Sequence, residues 1–226
     1  MSNASLHVGI KRGVHRRDDA FSASADAAFD PVRGKALESA RYRCVRCGLE
    51  SVATPPPKRR SSSLQVHHLD DDHHNNEPGN LAAYCDLDHA VHHIGCDAPT
   101  TGGHFGWASK MRIARIPGLT SEEVNLLQRA IGAALADPGL KAVADEMLSL
   151  LAVMALPVAD IYASSKAKDF AAAMAAMTDS EYEERRVDGL RVLFHPDILR
   201  AAGEQMVADQ PLLATRTWSS VVDLGV

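Results

Sequence analysis

Apolar residues recur at two different spacings along this chain, and the change comes near its middle. Leu6-His7-Val8-Gly9-Ile10 alternates in the two-residue period of a strand. Residues 20–40 are rich in alanine and predict helix in part, with Pro31 and Gly34 as breakers. Leu64-Gln65-Val66 is a β-capable stretch, and residues 111–117 alternate again through Met111, Ile113 and Arg115. From Thr120 the period becomes helical. Val124, Leu127, Ile131, Ala134 and Leu135 recur at helix spacing, Thr120 with Glu123 has the spacing of a capping box, and Asp137-Pro138-Gly139 ends the run. A second helix is expected from about Leu140 to Leu156, with Val143, Met147, Leu151 and Met154 on one face and Pro157 stopping it. Residues 166–178, 180–186 and 196–209 also suit helices, the last with Pro196 in its first turn. Residues 51–63 and 96–104 read as loops. The expectation is an α+β protein: a mixed module over residues 1–110 and a mainly helical region over 111–226.

Charge sharpens this division. Residues 1–60 hold twelve Lys and Arg against six Asp and Glu, whereas residues 61–100 hold seven acids and no Lys or Arg. The basic leading part can touch phosphate, but the acidic stretch behind it disfavours a polyanion unless cations are bound. No run of eighteen or more apolar residues exists, and no apolar segment follows the early basic residues. A spanning helix and a secretory signal are therefore not expected, and a cytoplasmic protein is.

The chemistry concentrates in the acidic stretch. Seven of eleven histidines lie between His67 and His93, flanked by Cys44-x2-Cys47 and followed within the stretch by Cys85. Thiolate and imidazole are zinc ligands, and a CxxC pair places two of them on one tight turn. Four cysteines in all suit a reducing compartment and a metal site better than a disulfide framework. The bland reading is a set of unligated core cysteines. Asp70-Asp71-Asp72 before His73-His74-Asn75-Asn76 offers carboxylates to a hard cation. A turn in which Asp and Asn side chains bond their own backbone is the preferred reading.

Taken together, Cys44-x2-Cys47, His67-His68, Asn80-Leu81 and Cys85-x2-Asp88-His89 resemble the HNH, or ββα-metal, module. That resemblance implies a structural zinc on Cys44, Cys47, Cys85 and Asp88, where the family has a fourth cysteine; His89 and Cys96 are rivals for the last place. It also implies, for an active nuclease, a cation on His67 with His89 and His93, a general base at His68, and Asn80 orienting that base. The opposed reading is a scaffold in which these residues only bond within the fold.

A closer resemblance covers most of the chain. YRCVRCG at 42–48, VHHLDDDHHNN at 66–76, Asn80-Leu81, HIG at 93–95, Gly102-Gly103 and IPGLTSEEVNLL at 116–127 are similar to the IcmJ/DotN family of type IVB secretion and conjugal transfer proteins. The resemblance implies a cytoplasmic, zinc-stabilised, non-catalytic subunit. Such a subunit docks on the C-terminal tail of a coupling ATPase among other secretion-complex subunits, peripheral to the inner membrane only through that complex. Nucleic acid is a less favoured partner, and the alternative is an HNH endonuclease.

Overall fold

The computed structural model describes residues 6–11, 22–54, 63–72, 74–95 and 107–215. The chain is a mixture of helix and small antiparallel sheets, as an α+β reading requires. The first helix, α1 (Ser22–Ser39), runs straight through Pro31 and Gly34, so neither breaks it. Phe29 and Leu37, two helical repeats apart, are both buried, and that burial offsets the hydrogen bond that Pro31 cannot donate. The chain then reverses through Arg41 and Tyr42, both in the left-handed region (φ 54° and 52°). This delivers Cys44 and Cys47 into a tight knuckle closed by Gly48 at φ 76°, with the Gly48 amide donating to the Cys44 carbonyl at 3.0 Å.

Strands β1 (Leu64–His68) and β2 (Leu81–Cys85) pair antiparallel, Leu64 facing Cys85 and His68 facing Leu81. Helix α2 (Asp86–Val91) follows β2 without a linker, and Cys85 caps it by accepting the Asp88 amide. Leu6 to Ile10, expected as a strand, joins no sheet among the described residues. Gly9 instead accepts from Ile94 and donates to Val91 at the end of α2, while Leu6 and Val8 are buried.

Beyond residue 110 come β3 (Met111–Arg115), α3 (Ser121–Ala136), α4 (Lys141–Val153), α5 (Leu156–Tyr162), α6 (Ala167–Ala176), α7 (Asp179–Glu183), β4 (Leu190–Phe194) and α8 (Pro196–Asp209). Strand β4 interrupts what reads as an all-helical half. It pairs antiparallel with β3, Met111 opposite Phe194 and Arg115 opposite Leu190. Its five residues are too few for periodicity to reveal, and it needs its partner 79 positions away to be a strand at all. The Thr120–Glu123 capping box on α3 forms as expected. Pro157 does not end the helical run. It sits in the first turn of α5, where its missing N–H costs nothing.

Helices α3 and α8 cross so closely that Gly132 sits on the backbone of Leu199 and Gly203 on that of Gly132 and Ala133. One hydrophobic cluster contains Cys44, Cys85, Leu87 and Val91 from the first half together with Met111, Val192, Leu199 and Met206 from the second. The knuckle loop is also tied to α8, because Ser51 and Ser63 both donate to the Asp209 carboxylate at 3.0 Å.

One face contradicts the periodicity. Val143, Met147 and Met154, expected to share a core face with Leu151, are exposed. Ala144, Leu148, Leu151, Ala155 and Val158 turn inward instead, buried or half-buried. Small residues at 144 and 155 let this side approach α3 closely, and a helix apolar on both sides cannot declare from sequence which side is core.

Candidate metal centre

Two local turns and the contacts between them explain how four ligand-type side chains separated by up to 44 positions meet. The knuckle presents Cys44 and Cys47, the end of β2 presents Cys85, and the first turn of α2 presents Asp88. The Val45 amide donates to the Ala83 carbonyl at 2.9 Å and the Cys85 amide to Cys44 Sγ at 3.2 Å, which locks the knuckle onto the hairpin. One ligand atom from each of Cys44, Cys47, Cys85 and Asp88 falls within 4.8 Å of all the others. Cys47 Sγ lies 3.7 Å from Cys85 Sγ, and Cys44 Sγ lies 3.2 Å from Asp88 Oδ2. Thiolate bonds of about 2.3 Å give a tetrahedron edges of about 3.8 Å, so the donor set and its spacing fit a four-coordinate cation.

Electrostatics point the same way. Cys44, Cys85 and Asp88 are buried. Hydrogen bonds from Cys47 and Cys85 hold the Cys44 thiol down at about 5. Sharing its proton with Cys44 pushes Cys47 the other way. Burial raises Cys85 to about 12 and Asp88 to about 8, the latter reinforced by the nearby Cys85 charge. Negative groups crowded into a dry pocket repel one another, and a divalent cation removes that penalty while favouring their ionised forms. These groups can hold a metal ion.

A second cluster adjoins the first. His67, His89 and His93 also bring ligand nitrogens within 4.8 Å of one another. The His67 ring stands 5.4 Å from His89 and 5.3 Å from His93, centre to centre, and lies near-parallel to the rings of Tyr84 at 5.0 Å and His92 at 4.9 Å, which are themselves 5.6 Å apart. Burial lowers His67 to about 2 and His92 to about 4, which favours the neutral ring, the form in which an imidazole such as that of His67 can ligate a metal. Successive residues of α2 thus face two clusters, Asp88 the thiols and His89 the imidazoles. His89 is not among the four residues gathered at the first centre, and Cys96 lies outside the described residues.

His68 is not in either group. It is buried against Phe29, with ring centres 4.8 Å apart, and its Nε2 donates to Asn76 Oδ1 at 3.0 Å. Asn80 is turned away from it. The Asn80 amide nitrogen donates to Asp70 Oδ1 and to the Asn75 carbonyl, both at 2.8 Å, and its Oδ1 accepts from the Asp70 amide. The Asp70–Asp72 run is a self-bonded turn. Asp70 Oδ1 accepts from the Asp72 amide and Asp72 Oδ1 from the His74 amide, both at 2.9 Å, with Asp71 in the left-handed region.

Sequence reasoning missed the support that α3 supplies. Asn125 Nδ2 donates to Asp88 Oδ1 at 2.7 Å, leaving Oδ2 toward Cys44. Arg129, buried, pairs with Asp86 and donates to the Ala202 carbonyl at 3.1 Å. Gln128 donates to the Val192 carbonyl and accepts from the Phe194 amide, both at 2.9 Å, and so satisfies strand β4. The available signal is three polar residues at i, i+3 and i+4 set among Val124 and Ile131, which are buried on the same helix. An Asn125→Ala variant should fold but lose about 1–3 kcal/mol, since Asp88 is left short of a donor. Its metal affinity should fall about 10- to 100-fold. Competition with a chromogenic chelator measures this, and affinity equal to wild type would remove Asn125 from the site.

No family model matches the chain, and no curated protein matches it.

Proposed function

We propose that this protein is a structural zinc-binding subunit of a type IVB secretion or conjugation coupling complex, built on an HNH-like ββα module and docking on the coupling ATPase. Zinc is the metal because three sulfurs and one carboxylate oxygen form a soft, four-coordinate, closed set with no position left for substrate. The order β1, β2, α2 and the motifs at 42–48, 66–76 and 116–127 support the family reading. The observation that carries the non-catalytic part is the fate of His68 and Asn80. A general base must reach water and substrate, yet His68 is buried under Phe29 and bonded to Asn76. Asn80, the residue that would orient it, is committed to the Asp70 turn.

The competing reading is an HNH endonuclease, and the convergence of His67, His89 and His93 favours it. Those three would hold a divalent cation able to act as Lewis acid on a phosphodiester. One pair of experiments separates the two. Plasmid nicking with magnesium, manganese, nickel or zinc should show no cleavage above background. Co-expression with the coupling ATPase of the same gene cluster should give a complex that co-elutes in size-exclusion chromatography. Cleavage abolished by His68→Ala would install the nuclease, and absence of co-elution at both low and high salt would remove the scaffold.

A further inference from the structure

The segment Lys141–Tyr162 is the most apolar helical stretch among the described residues, yet it lies on the outside. It comprises α4 and α5 with one turn between, 22 residues, and an eighteen-residue window within it has a mean hydropathy of 1.7 with 17% of that window buried. By length and composition this is enough to cross a membrane, although Lys141, Asp145, Glu146 and Asp160 punctuate it. The inward side, Ala144, Leu148, Leu151, Ala155 and Val158, recurs at alternating steps of four and three. The outward side does the same: Val143, Met147, Leu150, Met154, Pro157 and Ile161. Leu150 and Ile161 are each 64% exposed, and Val143 is 55% exposed. A helix whose inner seam already holds it to the core gains nothing in the monomer from a second apolar seam facing water.

We propose that the outward seam of α4–α5 is a docking site for one amphipathic helix of a partner protein whose flanks are basic. This deepens the scaffold reading and rests on it for the existence of a partner. The alternating four-three spacing is the repeat by which one helix receives another, so the occupant is a helix rather than an extended strand. Charge decides among possible helices. The residues immediately before Met147, Met154 and Ile161 are Glu146, Val153 and Asp160, which form the exposed flank of the seam. Asp145 is paired with Lys141, whereas Glu146 and Asp160 make no ion pair among the described residues. The opposite flank, Ala144, Leu151 and Val158, is turned inward. A second copy packed antiparallel would set Glu146 and Asp160 against the same acids, and a parallel copy would find no free opposite flank to pair with. An anionic lipid surface would meet the same acids, where membrane-lying helices carry Lys and Arg. A heterologous helix with Lys or Arg beside its apolar seam meets both requirements.

The test uses the full chain and two synthetic helical peptides of about three heptads, Leu at both seam positions, with flanks all Lys in one and all Glu in the other. The Lys peptide should bind by calorimetry, weaken as salt is raised, and bind Leu150→Lys at least about 10-fold more weakly. Leu150→Lys should keep wild-type circular dichroism, since the side chain is at the surface. Should it fail to fold, the charge reversal Glu146→Lys with Asp160→Lys serves instead and should switch preference to the Glu peptide. No binding of the Lys peptide, or equal binding of both peptides, overturns the proposal. So does a homodimer that Leu150→Lys disperses, or flotation with vesicles that Leu150→Lys abolishes. Co-elution with the coupling ATPase that survives Leu150→Lys overturns this surface alone. Peptide binding without any co-elution overturns the complex and leaves the surface standing.

Discussion

On the proposed zinc reading, Cys44→Ser should release the metal and unfold far more than the knuckle. Cys44 lies at the junction of three contacts: it accepts the Cys85 amide, approaches Asp88 Oδ2, and its own amide is held by the Leu49 carbonyl at 2.8 Å. A structural zinc contributes roughly 10–16 kcal/mol of apparent binding free energy in small domains, comparable to the whole stability of an ordinary one. Cys44 and Cys85 share a hydrophobic cluster with Leu199 and Met206 of α8, so the loss spreads beyond the first hundred residues. Elemental analysis should give one tightly bound zinc per wild-type chain and none for Cys44→Ser. Thermal melting should show the variant with no cooperative transition near the wild-type midpoint. His89→Ala should keep this zinc, because His89 faces His67 and His93, whereas Asp88→Ala should not. Wild-type protein without stoichiometric zinc would refute the centre, and the reverse behaviour of the two variants would reassign its fourth ligand.

Gly132→Ala should be the most damaging single-methyl change. In an exposed helix this substitution stabilises by up to about 1 kcal/mol. Here a Cβ would stand 1.8 Å from the Leu199 carbonyl oxygen and 2.5 Å from its carbon, which is backbone and cannot rotate aside. Gly203 faces the reciprocal contact, with the Ala133 nitrogen at 2.1 Å from its would-be Cβ. Helices α3 and α8 must separate by more than about 1 Å, with an expected cost of about 3 kcal/mol or more. Displacing α3 also displaces Asn125 from Asp88, Gln128 from β4 and Arg129 from the Ala202 carbonyl. The variant should therefore lose zinc faster on chelation as well as melt earlier. Gly79→Ala, with no atom within 4 Å of its Cβ, is the neutral control. A Gly132→Ala protein as stable as wild type would show that the two helices do not touch as closely as this geometry has them.

That Cys44 pairs with Cys47 and Cys85 with Asp88 was legible because the chain writes each pair locally, and the HNH resemblance put the two pairs together. A CxxC turn puts two thiols on one knuckle, and a strand running into a helix puts Cys85 and Asp88 on the next turn, whatever the rest of the protein does. The Thr120–Glu123 capping box and the Pro196 start of α8 were legible for the same reason. So was the Asp70 turn, since carboxylates bonding amides two residues on need no distant partner. The Thr178–Glu181 box of α7 is an equally local signal.

Other features waited on the tertiary structure. His68 and Asn80 fill motif positions, and no local rule says whether they face substrate. Phe29 packs over one and Asp70 bonds the other, contacts that no motif specifies. Strand β4 exists because β3 is there to pair with it, and Gln128 because β4 needs its backbone satisfied. Helix α4–α5 is apolar on two sides, so its sequence specifies a helix and two seams but not which one is buried. That choice falls to the small residues Ala144 and Ala155, which fit against α3 only once α3 itself has been set in place. Local hydrogen bonding and turn chemistry can be read along the chain. Burial cannot, because it is a property of what arrives from elsewhere.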